Sequence, residues 1–263
     1  MKHIKRGKVL IISDIHQDIG GYVNSILDRE TDWDYIIFNG DYFDTFKTPN
    51  GRTIYGVINT CGWIKDMMEQ YGDKIIWHVG NHDVSYLASY VKDYTKTKKH
   101  NLYYCSGWTR NKAIKFNKNI DPDWLDSVNL CTLLGDNTVV SHAGFTYDNF
   151  VPIKSQLQNI TDYSEKWEQD KRVFNYTPNH WIWDVGACRG GYSNSGSPVW
   201  LDWYSEFRPI DNITQIVGHT TTHGQHEIKY NGFGLPNYNI DEMQNCYAIW
   251  ENGETTIKRL SDG

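Results

Sequence analysis

The sequence predicts an α/β fold in which parallel strands form a layered sheet. Five short runs rich in Val and Ile end in polar residues, and helical patterns separate the first three runs. Hydrophobicity within the runs is continuous rather than alternating, so we expect strands that are covered on both faces. A length of 263 residues suits one large domain. The runs are "KVLIISDIH" (8–16), "DYIIFNGDYFD" (34–44), "KIIWHVGNHD" (74–83), "NTVVSHAG" (137–144) and "TQIVGHT" (214–220).

The remaining regular elements follow the same logic. Helices are predicted at about 19–30 and 53–71, which gives the β-α-β-α order of a parallel sheet. Toward the C-terminus we predict four further short strands, with "ENGE" as the turn of a hairpin between the last two. These strands are "EIKYN" (227–231), "NYNID" (237–241), "CYAIWENG" (246–253) and "TTIKRL" (255–260).

Two longer stretches, about 94–136 and about 145–212, carry no clear strand pattern and are predicted to be irregular. No Pro/Gly/Ser linker bounds them, so we interpret them as insertions or a cap on a single domain spanning 1–263. The second stretch holds five tryptophans, for which packing is favoured over ligand stacking. They are Trp167, Trp181, Trp183, Trp200 and Trp203.

Composition excludes several classes of function. The net charge of −6 argues against a surface that binds nucleic acid or membrane through bulk positive charge, and no apolar segment is long enough to cross a bilayer. The five cysteines are scattered without a C-x-x-C pair, and the basic N-terminus has only the short apolar core "VLII". We expect a reduced, cytoplasmic protein. Nothing in the sequence predicts an oligomeric state.

Polar side chains collect at the ends of the five predicted strands. Strand ends are where an open α/β sheet binds its ligands. Carboxylate, imidazole and amide groups are the ligands that divalent ions take in proteins. The sequence therefore predicts a metal site at one edge of the sheet, built from Asp14, His16, Asp41, Asp44, Asn81, His82, His142 and His219.

A role for most of these residues follows from the chemistry of two-metal sites. Two ions about 3.5–4 Å apart clamp the attacking and leaving oxygens of a phosphoryl displacement, and one carboxylate must bridge them. Asp41 ends the second strand, near the sheet centre, and is the predicted bridge. Asp14 and His16 would hold one ion, because alternate residues of an extended strand end point the same way. The other ion would be held by Asn81, His142 and His219.

His82 is adjacent to a predicted ligand, and we assign it a different task. A histidine held by a carboxylate through one ring nitrogen is suited to protonate a leaving oxygen with the other. Asp44, three residues beyond the predicted bridge, is the expected partner.

The order "DIH", "GDYFD", "GNHD", "SHAG", "GHT" resembles the calcineurin-like metallophosphoesterases over residues 14–220. The resemblance implies a four-layer β-sandwich flanked by helices (α/β/β/α) with a dinuclear metal centre at one edge. It implies manganese as the bound ion, with iron, zinc, nickel or magnesium as alternatives. By motif position it implies the same assignments: Asp14, His16 and Asp41 for the first ion; Asp41, Asn81, His142 and His219 for the second; and His82 with Asp44 as the proton-donating pair.

Departures from the family pattern bear on the substrate. Thr221 stands where many diesterases of the family have the second histidine of G-H-x-H. The "GHT" ending instead resembles the branch of Ser/Thr protein phosphatases and bis(5'-nucleosyl) tetraphosphatases. The protein phosphatases carry an arginine after the second motif, where this sequence has Thr45. Arginine is the natural clamp for a phosphate dianion, and Arg189 in "CRGGYSNSGSPVW" is the predicted replacement.

The expected activity is hydrolysis of phosphate esters by a metal-activated hydroxide. Phosphomonoesters are the favoured substrate, on a small molecule, a nucleotide or a phosphoprotein. A dinucleoside polyphosphate hydrolase or a phosphodiesterase is the alternative, since aromatic residues in 145–212 could stack a nucleobase. A catalytically silent scaffold of the same fold is disfavoured, because a scaffold has no use for His82 and Asp44.

Overall fold

Two six-stranded sheets and six α-helices make up the part of the chain that the computed structural model describes, which is residues 1–45, 54–90, 105–150, 154–174 and 179–262. The strands are β1 (Lys2–Ile4), β2 (Lys8–Ile12), β3 (Tyr35–Phe38), β4 (Ile75–His78), β5 (Val128–Asn129), β6 (Cys131–Leu134), β7 (Thr138–Ser141), β8 (Thr214–Val217), β9 (Glu227–Tyr230), β10 (Pro236–Asn239), β11 (Cys246–Glu251) and β12 (Glu254–Arg259). The helices are α1 (Asn24–Arg29), α2 (Ile54–Tyr71), α3 (Asn81–Tyr90), α4 (Arg110–Asn119), α5 (Pro122–Ser127) and α6 (Gln156–Asp170).

Both sheets mix parallel and antiparallel pairs. The first has the order β12-β11-β2-β3-β4-β5, in which β2 to β5 are parallel and β11 runs antiparallel to both β2 and β12. The second has the order β1-β6-β7-β8-β10-β9, with β7, β8 and β10 parallel. Because parallel strands end at the same edge of a sheet, the segments that follow β2, β3 and β4 meet at one edge, with β3 near the centre.

The layers follow from which side chains share a core. Between the sheets, Val9 and Ile11 of β2 belong to one buried cluster with Val140 and Ile216 of the second sheet. On the outer face of the first sheet, strand residues share a second cluster with buried residues of α1 and α2. The outer face of the second sheet is covered by α6 in that cluster, and by Trp203 and Phe207 in a third. The α/β/β/α arrangement is confirmed.

Most predicted elements are confirmed, including all five apolar runs and both early helices. The first of these helices begins as a π-helical turn at Ile19–Val23 and continues as α1. The hairpin turn between β11 and β12 is also confirmed. Asn252 and Gly253 both have positive φ, 49° and 102°, as a tight turn between twisted antiparallel strands requires.

The prediction that 94–136 and 145–212 are irregular is wrong for much of both stretches. The first contains α4, α5, β5 and β6, and the second contains α6. Both new strands pair within the sheets, β5 with β4 and β6 with β1 and β7. Residues 94–104, 151–153 and 175–178 lie outside the described part of the chain. The interpretation as insertions or a cap stays a prediction.

The tryptophans of the second stretch mainly pack, as predicted. Trp167, Trp183 and Trp203 are each no more than 5% exposed, so their rings are enclosed by other side chains. Trp200 is half-buried, and its ring lies edge-on to that of His219 with 5.9 Å between centroids. Among the residues that the structure describes, no helix combines the length and the apolar character that a bilayer span requires.

Candidate metal centre

A cavity of about 210 Å³ opens at the edge where the strand-end loops meet. Seven of the nine residues predicted for the site line it, namely Asp14, His16, Asp41, Asn81, His82, Arg189 and His219. The other two adjoin lining residues: Asp44 contacts His82, and His142 contacts Asn81. All nine therefore gather in one place, although they come from segments up to 205 positions apart, the separation of Asp14 and His219.

The backbone at the site is held in an uncommon conformation. Asp14, His16, Asp41 and His219 have φ of 54°, 45°, 54° and 68°, in the left-handed region that costs an L-residue about 1–2 kcal/mol. The expectation that Asp14 and His16 continue an extended strand is wrong, because β2 ends at Ile12 and both residues lie in the following loop. Clustered strain of this kind is typical of functional sites.

Three ligand atoms converge where the segments after β4, β7 and β8 meet. His142 Nε2 and His219 Nδ1 lie 3.0 and 2.9 Å from Asn81 Oδ1. His142 Nδ1 donates to the backbone carbonyl of Asn39 at 2.9 Å, which leaves the Nε2 lone pair directed into the site. A carbonyl oxygen and two imidazole nitrogens facing one another form a set that a cation would hold together.

Asp41 lies between this group and a second one. Its Oδ2 is 3.5 Å from His142 Nε2 on one side and 3.7 Å from His16 Nε2 on the other. Ligand atoms of His16, Asp41 and His82 lie within 4.8 Å of one another, and so do those of Asp41, His142 and His219. His16 Nδ1 donates to the Asp44 carbonyl at 2.7 Å, so its Nε2 is the ring nitrogen on the side of Asp41. Asp41 is shared by both groups, as a bridging carboxylate must be.

Asp41 and His142 shift each other's pKa values where the two groups meet. Burial alone would lower the pKa of His142, but the charge of Asp41 raises it to about 10. Burial would raise the pKa of the Asp41 carboxyl, but His142 and the other nearby imidazoles lower it well below its ordinary value. The Asp41 carboxylate thus stays ionised, and His142 takes up the proton.

Asp14 lies in the cavity wall with a different set of contacts. Its carboxylate accepts a hydrogen bond from Ser13 Oγ at 2.5 Å and others from the backbone N–H of His219 at 3.1 Å. Its oxygens belong to neither of the two converging groups found among the described residues. Its assignment to the first ion stays a prediction.

His82 and Asp44 are in contact, as the chemistry of the motif predicts. His82 Nδ1 donates to Asp44 Oδ2 at 3.2 Å, and both side chains are buried. Burial would raise the pKa of the Asp44 carboxyl, but the hydrogen bond and charge of His82, followed by those of Lys112, lower it below its ordinary value. Nδ1 of His82 is thus hydrogen-bonded to Asp44, and the role of His82 as a proton donor through Nε2 stays a prediction.

Arg189 is positioned by two contacts on its guanidinium. Nη2 donates to Thr220 Oγ1 at 2.7 Å and lies 3.1 Å from Asp202 Oδ2. The loop turns back directly after this residue, where Gly190 adopts a φ of 81° and donates its N–H to the Ala187 carbonyl. These contacts therefore hold the positively charged guanidinium of Arg189 in the cavity wall.

The sequence model of the calcineurin-like phosphoesterase family matches residues 7–223. The chain belongs to this family. Membership supports a metal-dependent phosphoesterase, and the two ligand groups that share Asp41 are candidate positions for the divalent metals that the family binds. No curated protein matches the chain.

Solved structures share the calcineurin-like phosphoesterase fold with this chain at low sequence identity. A point mutant of a cold-active protein tyrosine phosphatase has a TM-score of 0.58 and 14% identity, with 98% of this chain and 81% of that chain covered. The cold-active protein tyrosine phosphatase of a psychrophilic Shewanella species has a TM-score of 0.57 and 13% identity, with the same coverage. Both comparisons concern the fold.

The structure adds residues to this calcineurin-like phosphoesterase site that the motifs did not single out. Asp83 accepts backbone N–H groups, Cys105 Sγ accepts Asn81 Nδ2 at 3.0 Å, and Lys112 contacts Asp44. Thr221, in place of a second histidine, donates to Asp241 Oδ2 at 3.0 Å. Burial and the charge of Asp14 raise the pKa of the Asp241 carboxyl to about 7. Of these residues, Asp83 lies in "GNHD" and Thr221 was noted as the place of a missing histidine, whereas the others lie outside every motif.

Proposed function

We propose that the chain is a phosphatase that hydrolyses phosphomonoesters with the help of two divalent ions. One observation carries the proposal: Asp41 lies between two groups of converging ligand atoms, and the His82–Asp44 pair adjoins it. A metal site alone could serve structure or storage. A metal site with a carboxylate-held histidine beside it is equipped to move a proton during a reaction.

The proposal assigns two metal ions to these residues. Asp14, His16 and Asp41 would hold the first, of which His16 and Asp41 belong to one converging group, and Asp41, Asn81, His142 and His219 would hold the second. The mixture of carboxylate, imidazole and amide oxygen suits manganese, which we propose as the native metal, with iron, zinc, nickel or magnesium as alternatives. When bound, such ions supply an acidified water as nucleophile and Lewis acids for the phosphoryl oxygens.

The chain's own residues would orient the ester and handle the proton. Arg189 would neutralise and hold the phosphoryl group, since its guanidinium is fixed in the cavity wall by Asp202 and Thr220. His82 would hold a proton on Nε2 and give it to the leaving oxygen, while Asp44 keeps the ring in the required tautomer. Enclosure of the site strengthens both interactions, because fewer waters compete with them.

The size of the cavity favours a monoester. About 210 Å³ is below the roughly 300–1,000 Å³ of pockets that enclose a whole drug-sized ligand. The cavity therefore suits the phosphate group itself, with the rest of the small molecule, nucleotide or phosphoprotein outside. Four of the five tryptophans of 145–212 are buried and offer no ring faces for stacking a base, which leaves the half-buried Trp200 and the exposed Tyr192 and Tyr204 for the alternative. We further propose that the enzyme belongs to the "GHT" branch of the family and acts in the cytoplasm.

Parallel assays of three substrates test the proposal: p-nitrophenyl phosphate, bis-p-nitrophenyl phosphate and diadenosine tetraphosphate, each with Mn²⁺. We expect the monoester to be turned over fastest. His82→Asn should reduce kcat for phenyl phosphate, a monoester with a basic leaving group, by about 100-fold or more, the usual contribution of a proton donor, and kcat for p-nitrophenyl phosphate by less. His223→Asn, at an exposed position that does not line the cavity, is the matched control and should leave kcat unchanged.

Each contrary outcome has a defined meaning. Faster turnover of the diester or of the tetraphosphate would replace the monoester assignment with one of the alternatives. No turnover of any substrate by a chain shown to carry two ions would contradict the enzymatic proposal. Unchanged turnover by His82→Asn would remove the proton donor from the mechanism.

A further inference from the structure

We infer that Lys112 is a positioning residue for the proton donor, acting through Asp44, and this inference rests on the proposed function. Lys112 Nζ donates to Asp44 Oδ1 at 2.8 Å and to the Gly107 carbonyl at 2.9 Å. Asp44 Oδ2, the other oxygen of the same carboxylate, accepts His82 Nδ1. Lys112 and His82 therefore hold opposite ends of one carboxylate.

The placement of Lys112 is costly, so a compensating contact is needed. Its side chain is only 4% exposed, and a buried ammonium is stable only when it is paired. It also lies in the first turn of α4, where the helix dipole disfavours a cation. Asp44 supplies the compensating charge, and the geometry commits that carboxylate to one orientation.

Tyr86 makes the restraint on Asp44 two-sided. Tyr86 OH donates to Asp44 Oδ1 at 2.8 Å, so this oxygen accepts from both a phenol and an ammonium. Rotation of the carboxylate about χ2, which is otherwise a soft torsion, would break both hydrogen bonds. Oδ2 is thereby kept on the His82 side, and the imidazole keeps its tautomer and its direction.

The loop before α4 is fitted to the same carboxylate. Gly107 has a φ of 100°, and a Cβ at this position would lie 2.9 Å from Asp44 Cγ. The backbone at Gly107 therefore lies against the Asp44 side chain, and Lys112, five residues later, donates to the same carboxylate. A lysine with a purely structural role would need a carboxylate partner, but that partner would not have to be the one that holds the proton donor.

A comparison of leaving groups separates the two roles. Phenyl phosphate releases a strongly basic phenolate and depends on protonation, whereas p-nitrophenyl phosphate depends on it far less. In the Mn²⁺-loaded chain, Lys112→Met should lower kcat for phenyl phosphate by about tenfold or more and kcat for p-nitrophenyl phosphate by about threefold or less, with both KM values unchanged. Lys118→Met, at an exposed position of the same helix, is the control and should change neither rate.

A double-mutant cycle with Asp44→Asn supplies the second criterion. If Lys112 acts through Asp44, Lys112→Met should have no further effect on kcat in the Asp44→Asn background. Metal content and melting temperature are measured for every variant, so that loss of ions or of folding is seen directly. Tyr86→Phe, which removes one hydrogen bond without exposing a buried charge, should shift the ratio of the two rates in the same direction if Lys112→Met does not fold.

Several results would overturn the inference. They are an equal loss on both esters, an undiminished effect of Lys112→Met in the Asp44→Asn background, and full activity of a folded Lys112→Met chain. If His82→Asn lowers kcat and Lys112→Met does not, this inference alone would be wrong and the proposed function would stand. A wild-type chain that turns over neither ester would overturn the proposed function together with the role of Lys112.

Discussion

Asp83, the last residue of "GNHD", ties together the segments that follow β3 and β4, and its removal should destabilise the whole site. Asp83 Oδ2 accepts the backbone N–H groups of Asp41 at 2.7 Å and Gly80 at 2.8 Å, and Oδ1 accepts that of Tyr42 at 3.0 Å. The side chain is fully buried. Asp83→Ala leaves three buried donors without this acceptor, at about 1–3 kcal/mol each.

The combined loss should be about 3–6 kcal/mol, because the three contacts share one carboxylate and are not fully additive. Unfolding in urea measures it. Asp121→Ala is the matched control: Asp121 caps α5 through one bond to the Asp123 N–H, and its loss should cost about 1 kcal/mol. A loss for Asp83→Ala no larger than that of the control would refute the reasoning.

Three further predictions follow from other buried or positioned groups in the structure. Burial lowers the pKa of His78 to about 3, so below about pH 6.5 the unfolded chain gains a proton that the folded chain does not. The free energy of unfolding should therefore fall with decreasing pH, by at most about 1.4 kcal/mol per pH unit from this group. For His78→Gln, measured by unfolding in urea at several pH values, the free energy of unfolding should fall less steeply. Cys105→Val removes the acceptor that orients the Asn81 amide and should weaken metal retention about tenfold or more in a dialysis assay; unchanged retention would show that Cys105 does not orient the amide. Arg189→Met should lower kcat/KM for p-nitrophenyl phosphate about tenfold or more, whereas the exposed Arg172→Met should not; equal effects would remove Arg189 from the substrate site.

The fold was predictable wherever burial leaves a continuous apolar run, as in β2, β3, β4, β7 and β8. It was missed for α4 and α6, where polar residues outnumber apolar ones. Apolar residues do recur there at helical spacing, Ala113 and Phe116 in α4 and Ile160 and Trp167 in α6, but polar residues such as Lys112 and Ser164 share the buried faces. A segment of such low overall hydrophobicity suggests an irregular stretch.

The gathering of the predicted site residues followed from motifs that close successive strands. The left-handed backbone at Asp14 and His16 could not be derived, because the alternate spacing of these residues is equally compatible with an extended strand. Cys105 and Lys112 were missed for another reason. Each reaches the site through tertiary packing alone, 24 and 68 positions from its partner, and no local pattern marks it.

The most direct test of the central claim is a titration of the metal-free chain with Mn²⁺, in which bound manganese is counted against turnover of p-nitrophenyl phosphate. A centre bridged by Asp41 requires two ions for chemistry. We predict no turnover without metal and a plateau when two ions are bound per chain. Turnover in the absence of bound metal, or full turnover with a single ion, would contradict the account.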